Sequence, residues 1–361
     1  MWSVPDFVFA TCAPGFEATL KREVARARPE LRFAFSRPGL VTFKAPGPIA
    51  PEDPPASAFA RVWGRSLGPA ADPAAAAALL AGVGADRVHA FARAPEAAAE
   101  HAPRPAPGPA PRQAPEPAGG SAALDLAPWQ ALGPGGPAVI GERVADIIVA
   151  PGEPAWLGVH RHDPSRPAHP GGALPVDVPA EAPSRAYAKI EEAIAWAHLP
   201  VTAGQVALEI GAAPGGAALA LARRGLTVWA VDPGALAPAA LALPGVRHVA
   251  KKVGALRWEE LPPRVDWLLL DVNLAPQVAL HEIARLMPPL LPTLAGAVLT
   301  LKLNDLAFVD ELPALTARIR AMGLPDVRLR HLPSNRREVC AVALSAATAA
   351  AAAAAPVAAR S

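Results

Sequence analysis

The sequence predicts an α/β protein, a mostly parallel sheet covered on both faces by helices, preceded by a smaller α+β unit. Three observations carry this. From about residue 200 to 345, short apolar runs alternate with helical stretches, as in strands joined by crossover helices. One run, Val206-Ala207-Leu208-Glu209-Ile210, feeds a helix through the turn Gly211-Ala212-Ala213-Pro214-Gly215-Gly216. Residues 5–93 follow a different, βαββαβ-like rhythm, which suggests a small α+β unit.

In the first half, residues 7–10 read as a strand, 16–27 as a helix (Phe16, Leu20 and Val24 on one face) and 40–43 as a strand. Residues 60–63, 73–82 and 87–92 repeat strand, helix and strand. Lys21, Arg22, Arg26 and Arg28 form a solvated face of the first helix. Residues 101–120 are rich in proline alternating with alanine, and such a stretch builds no packed core. A strand at 141–149 and its hairpin partner at 155–160 follow. His160, Arg161, His162, Arg166 and His169 then fall in a Pro/Gly-rich stretch that reads as a basic surface loop, since their spacing matches no zinc pattern.

A helix over 184–198, capped by Ser184 and carrying Lys189 one turn in, opens the second half. Strands follow at 206–210, 227–231, 246–250, 266–271, 297–303, 326–331 and 338–344. Helices are expected at 215–224, 277–291 and 308–322. Residues 346–361 form an alanine-rich tail. The segments group as 1–95, an insert at 96–121, 122–175, and an α/β domain at 180–345.

Length and composition narrow the class. The chain's 361 residues suggest two or three domains. Strongly apolar runs of membrane-spanning length are missing, and the first residues lack a basic region followed by an apolar core, so neither a membrane nor a secretory route is expected. Two cysteines far apart, Cys12 and Cys340, fit a reduced, cytoplasmic setting. A net charge of +2 does not by itself imply a nucleic-acid partner.

In an open α/β sheet the ligand lies beyond the carboxyl ends of the strands. Gly211 allows a tight turn there, Pro214 suits a first helical turn, and Gly215 and Gly216 leave room beside a ligand. Asp232 ends the next strand, placed to accept from a ribose diol. Asp271, Lys302 and Glu338 fall at other strand ends, the last after the basic turn Asn335-Arg336-Arg337. Each also fits an ordinary role alone: Asp271 as a helix cap, Lys302 as a snorkelling edge residue, Glu338 as an arginine's partner, Lys189 as a solvated helix residue.

Taken in order, Lys189, Glu209-x-Gly211-x-x-Pro214-Gly215-Gly216, Asp271, Lys302 and Glu338 resemble the FtsJ-like ribose 2′-O-methyltransferases. Ser184-Arg185-x-x-x-Lys189-Ile190-Glu191-Glu192-Ala193 is similar to their entry helix. Leu301-Lys302-Leu303 and Arg337-Glu338-Val339 are similar to their second lysine and glutamate motifs. The resemblance covers about 180–345. It implies a Rossmann-like methyltransferase domain with a mostly parallel seven-stranded sheet, S-adenosyl-L-methionine as cofactor and no metal. It also implies a Lys189–Asp271–Lys302–Glu338 tetrad. Ser184, Gly211, Ala213, Pro214, Gly215, Gly216, Asp232 and Asp271 are then cofactor contacts. Cys12-Ala13-Pro14-Gly15-Phe16-Glu17 and the strand pair before His160 resemble the front of the bacterial large-subunit ribosomal RNA methyltransferase M family. That family carries a ferredoxin-like plus THUMP module that grips RNA. The implied partner is large-subunit (23S) ribosomal RNA, at a cytidine, by a monomeric protein.

By this resemblance Lys302 is the general base, its ammonium destabilised by burial and by Lys189. Asp271 orients it, Glu338 positions Lys189 and the ribose, and Arg336 and Arg337 hold phosphate. Two features differ from the family: Glu209 stands where an Asp is usual, and Lys251-Lys252-Val253-Gly254 stands where an acid would hold the adenine amine. The alternatives are a non-catalytic RNA-binding protein that keeps the fold, and a base or protein methyltransferase. Asp271-Val272-Asn273-Leu274-Ala275-Pro276 lacks the aromatic residue of base-methylating sites.

Overall fold

The computed structural model describes residues 6–48, 57–93, 124–303 and 306–354. They divide into two compact units, Met1–Gly172 and Ala173–Ser361. The insert at 96–121 and residues 355–361 of the tail lie outside the described residues.

The first unit contains, in order, β1 (Phe7–Thr11), α1 (Glu17–Ala27), β2 (Arg32–Arg37), β3 (Leu40–Lys44), β4 (Trp63–Ala70), α2 (Pro73–Leu80), β5 (Arg87–Ala92), α3 (Ala127–Gln130), β6 (Arg143–Val149) and β7 (Ala155–Arg161). Its strands form one sheet in the order β2-β3-β1-β4-β7-β6-β5. All neighbours are antiparallel except β5 and β6.

Three expectations need correction here. The edge strand β2 is largely exposed, so it carries no burial pattern to read. The strand expected at 60–63 lies instead at Trp63–Ala70, between β1 and β7. Gly64, Gly68 and Pro69 read as breakers, yet Gly64 is required because a Cβ there would collide with the Val159 carbonyl, and Gly68 sits at a bulge. The basic loop is not a solvated surface either. His160 and His162 are buried, the His160 Nδ1 lies 2.5 Å from Asp146 Oδ2, and Arg166 covers the Trp63 ring at 4.2 Å.

The second unit contains α4 (Ala186–Ala197), β8 (Val206–Ile210), α5 (Gly216–Arg223), β9 (Thr227–Val231), α6 (Pro238–Leu241), β10 (Val246–Val249), β11 (Trp267–Leu270), α7 (Pro276–Leu290), β12 (Gly296–Lys302), α8 (Leu312–Ala321), β13 (Asp326–Arg330), β14 (Glu338–Leu344) and α9 (Ala346–Ala354). The sheet order is β10-β9-β8-β11-β12-β14-β13. Only β14 runs antiparallel to its neighbours. The first strand is therefore central, later strands spread to both sides, and the order reverses beside β8, which is the switch point of a doubly wound sheet.

Side chains alternate along these strands. Ala207, Leu269, Val298, Cys340 and Val342 face the core shared with α4 and α5. Their neighbours Leu208, Leu268, Leu299 and Ala341 are equally buried, so both faces are covered. No helix among the described residues is long and apolar enough to cross a membrane.

Candidate active site

The site is built on the carboxyl edge of the second sheet. β8 ends at Ile210 and the chain turns at Gly211, with φ +85°; a Cβ there would collide with the Asp271 carbonyl oxygen. Gly215, φ +103°, is the N-cap of α5, and Pro214 lies in the turn before the helix rather than in its first turn. The expected reason for Gly216 also needs correction. A Cβ at Gly216 would meet Ser184 Oγ and its carbonyl oxygen, so the glycine admits the chain's own backbone. That close approach carries Ser184 to the glycine turn. The helix begins one turn position later than expected, at Ala186, with Arg185 as N-cap; Ser184 Oγ accepts only the Ala186 N–H, at 3.3 Å.

Asp232, one residue past β9, supports the same turn. Its Oδ2 accepts the Ala213 N–H at 3.1 Å and its Oδ1 the Gly234 N–H at 2.7 Å. The Lys251 ammonium, in the stretch without an acid, pairs with Glu260.

Lys189, Asp271, Lys302 and Glu338 come together as one cluster. Period-two alternation puts Val298, Thr300 and Lys302 on one face of β12, and Glu338, Cys340 and Val342 on the matching face of β14, in register. This face is the one α4 covers, so Lys189, on the first turn of α4, reaches the same point. Lys189 Nζ lies 2.9 Å from Asp271 Oδ2 and 2.6 Å from Glu338 Oε1. Lys302 Nζ lies 2.8 Å from Asp271 Oδ1 and 3.9 Å from Glu338 Oε2. The turn before β14 is fixed to α4: Ser334 donates through its N–H (2.9 Å) and Oγ (2.7 Å) to Glu192, and Arg185 donates to the Ser334 carbonyl at 3.0 Å. Arg336 is exposed and Arg337 half-buried on that turn.

Electrostatics follow from this interleaving. Burial pushes the Asp271 carboxyl up, but Lys189 and Lys302 outweigh it and hold it below the usual aspartate range. Burial pulls the Lys189 ammonium down, but Asp271 and Glu338 outweigh it and hold it above the usual lysine value. Carboxylates thus contact both ammonium groups: Asp271 and Glu338 each reach Lys189 and Lys302.

Sequence reading gave no role to the floor of the site. A cavity of about 30 Å³ lies among Lys189, Glu209, Asp271, Thr300, Asn335 and Cys340. Glu209 is buried there, its pKa pushed up to about 8 by burial and then by Asp271 and Asp232, against one bond from the Ala218 N–H. Its position as the acid before the glycine turn was the available signal. Among the described residues no three His, Cys, Asp or Glu side chains are grouped as a metal site requires.

A doubly wound seven-stranded sheet, a glycine turn at its switch point and a Lys–Asp–Lys–Glu cluster over its carboxyl edge define a Rossmann-like α/β fold with a candidate active site at its switch point. Sequence comparison adds the particular likeness: the chain is similar to proteins named Ribosomal RNA large subunit methyltransferase M. It is 43% identical to that of Halorhodospira halophila over 130 residues, 34% of this chain and 35% of the relative. It is 31% identical to that of Thauera aminoaromatica over 213 residues, 56% of each chain. The chain thus spans between about a third and a little over half the length of these relatives. No protein-family model matches it. Among solved structures, TrmN from Thermus thermophilus aligns over 94% of this chain and 99% of that one, with 18% identity and a TM-score of 0.35. The fold assignment rests on strand order, not on that likeness.

Proposed function

We propose that the protein is an S-adenosyl-L-methionine-dependent ribose 2′-O-methyltransferase acting on large-subunit ribosomal RNA, at a cytidine. The observation that carries this is the interlocked Lys189–Asp271–Lys302–Glu338 cluster. Two lysines held by two acids at strand ends suit proton removal from a hydroxyl, and a simple binding surface has no need of them.

The residues fit the cofactor. The glycine turn and the start of α5 form the backbone cradle usual for a nucleoside ligand. Asp232 keeps acceptor capacity for a ribose diol beyond its two backbone bonds. Ser184, Gly211, Ala213, Pro214, Gly215, Gly216 and Asp271 complete the cradle, and among the described residues the buried Glu209 Oε2 has no hydrogen-bond donor. S-adenosylmethionine, when bound, supplies a methyl group already activated on a sulfonium.

The chain's own residues then do the rest. Lys302, in its neutral form, takes the proton of the 2′-hydroxyl. Asp271 fixes Lys302 at 2.8 Å and Lys189 at 2.9 Å, and places negative charge beside the sulfonium position. Glu338 holds Lys189 and aligns the ribose. Arg336 and Arg337 grip neighbouring phosphates. Residues 1–95 and 122–175 serve as a ferredoxin-like and THUMP-like RNA-binding module for the catalytic domain at 180–345. The protein works as a monomer in the cytoplasm.

The test is methyl transfer from labelled S-adenosylmethionine to large-subunit RNA lacking its modifications, with nucleoside identification after digestion. A labelled 2′-O-methylcytidine is expected. Label on a base, or no label despite cofactor and RNA binding, overturns the proposal.

A further inference from the structure

Glu209 is the one acid of the site for which the proposed chemistry has no use. It lies on β8, on the face covered by α4 and α5, and is only 2% exposed. The Ala218 N–H, in the first turn of α5, donates to its carboxyl group. Among the described residues its Oε2 has no hydrogen-bond partner, and Glu209 lines the cavity shared with Lys189 and Asp271.

The groups that face it decide its charge. β9 ends in Asp232 and β11 in Asp271, both of which repel an anion at Glu209. α4 brings Lys189, whose ammonium is already engaged by Asp271 and Glu338. β14 brings the neutral Cys340, and α5 brings Ala217 and the single N–H. A buried carboxylate beside two others, with one donor, is disfavoured relative to the protonated acid.

Resting on the cofactor reading above, we infer that Glu209 carries a proton in the free protein. We infer further that it gives that proton to solvent when a cationic ligand settles at the glycine turn, so that binding S-adenosylmethionine is linked to proton release. The carboxylate left behind is the counter-charge of the bound cation. The pKa of about 8 for the free protein fits this direction. The site thus binds its cation better as pH rises towards 8.

Two measurements on the full chain test this. Calorimetric titration with S-adenosylmethionine at pH 7, in buffers of different ionisation enthalpy, counts protons. Close to one proton released is expected, with affinity rising about tenfold per pH unit below pH 8. Glu209→Gln should give buffer-independent heats and a flat pH dependence. Without ligand, the infrared difference between wild type and Glu209→Gln at pH 7 should contain a protonated-carboxyl carbonyl band. If Glu209→Gln does not fold, the wild-type buffer series alone decides. Tight binding with no proton released, or a wild type without that band, overturns the linkage and leaves the proposed function standing. Failure of S-adenosylmethionine to bind, with the band present, overturns the proposed function and the linkage with it.

Discussion

Lys302 and Glu338 stand directly opposite each other across the β12–β14 pair, yet each charged end makes its closer contact elsewhere. Their own separation is 3.9 Å, while Lys302 reaches Asp271 at 2.8 Å and Glu338 reaches Lys189 at 2.6 Å. The cross-strand register brings the pair to one place, and the third strand end and α4 supply the partners. The cluster therefore depends on four elements at once.

Lys302→Ala should lower the methyl-transfer rate by about 10²–10⁴-fold, the range of a general base. Cofactor affinity should change little, because the glycine turn and Asp232 lie on other strands. Single-turnover transfer beside equilibrium cofactor binding checks both. An equal loss in rate and affinity would place Lys302 in binding rather than proton removal.

Removing one acid leaves a different signature. Glu338 has 7% of its side chain exposed and Lys189 has 12%, so Glu338→Ala leaves a largely buried ammonium with Asp271 as its remaining carboxylate. Leaving a buried charge wholly unpaired costs about 3–5 kcal/mol, and the retained Asp271 contact puts the expected loss below that range. Denaturant unfolding measures it, and Lys189→Met in the same background should restore part of the stability without restoring transfer.

How much of this was legible in the sequence follows from the kind of signal each part leaves. The second sheet was readable because its strands are continuous apolar runs between helices, and because Lys189, Asp271, Lys302 and Glu338 stand at strand or helix ends. The contacts among the four depend on register, which period alone does not fix. β4 was misplaced because Gly64 serves close packing against β7 and Gly68 a bulge, needs invisible locally. Glu209 was seen only as a substitution in a motif, since its burial comes from α4 and α5 folding over β8.

The close approach at Gly216 gives a third test. Gly216→Ala forces Ser184 or the start of α4 away from the turn, because a Cβ would meet both Ser184 Oγ and backbone. Cofactor affinity should fall at least tenfold, about 1.4 kcal/mol, with a smaller change in thermal stability. Gly216 lies outside the left-handed region, so cofactor titration of this variant beside Gly82→Ala, where φ is likewise ordinary and a Cβ meets nothing within 4 Å, isolates the collision.

The first unit should lose stability in mild acid through His162. Burial is the main cause that lowers its pKa, to about 4, with the neighbouring His160 adding to it. The unfolded chain binds a proton near the ordinary histidine value of about 6.5, so between pH 6.5 and 4 it binds more protons than the fold. Stability contributed by neutral His162 is present above pH 6.5 and is lost as pH falls towards 4, by at most about 3 kcal/mol. Urea unfolding at pH 7 and pH 5, for wild type and His162→Gln, should show a smaller pH difference in the variant.

Arg336 and Arg337 test how RNA is held next to the tetrad. Both lie on the turn that Ser334 ties to α4, immediately before Glu338, so phosphate contacts there would fix the ribose relative to the base. The double change Arg336→Ala, Arg337→Ala should weaken binding of a large-subunit RNA fragment. It should also flatten the dependence of log affinity on log salt by about 1.4, at roughly 0.7 for each single-strand phosphate contact. Cofactor affinity should stay the same, since neither arginine belongs to the glycine turn. Anisotropy titrations across a salt series measure the slope, and an unchanged slope with unchanged affinity would place the RNA path elsewhere on the second unit.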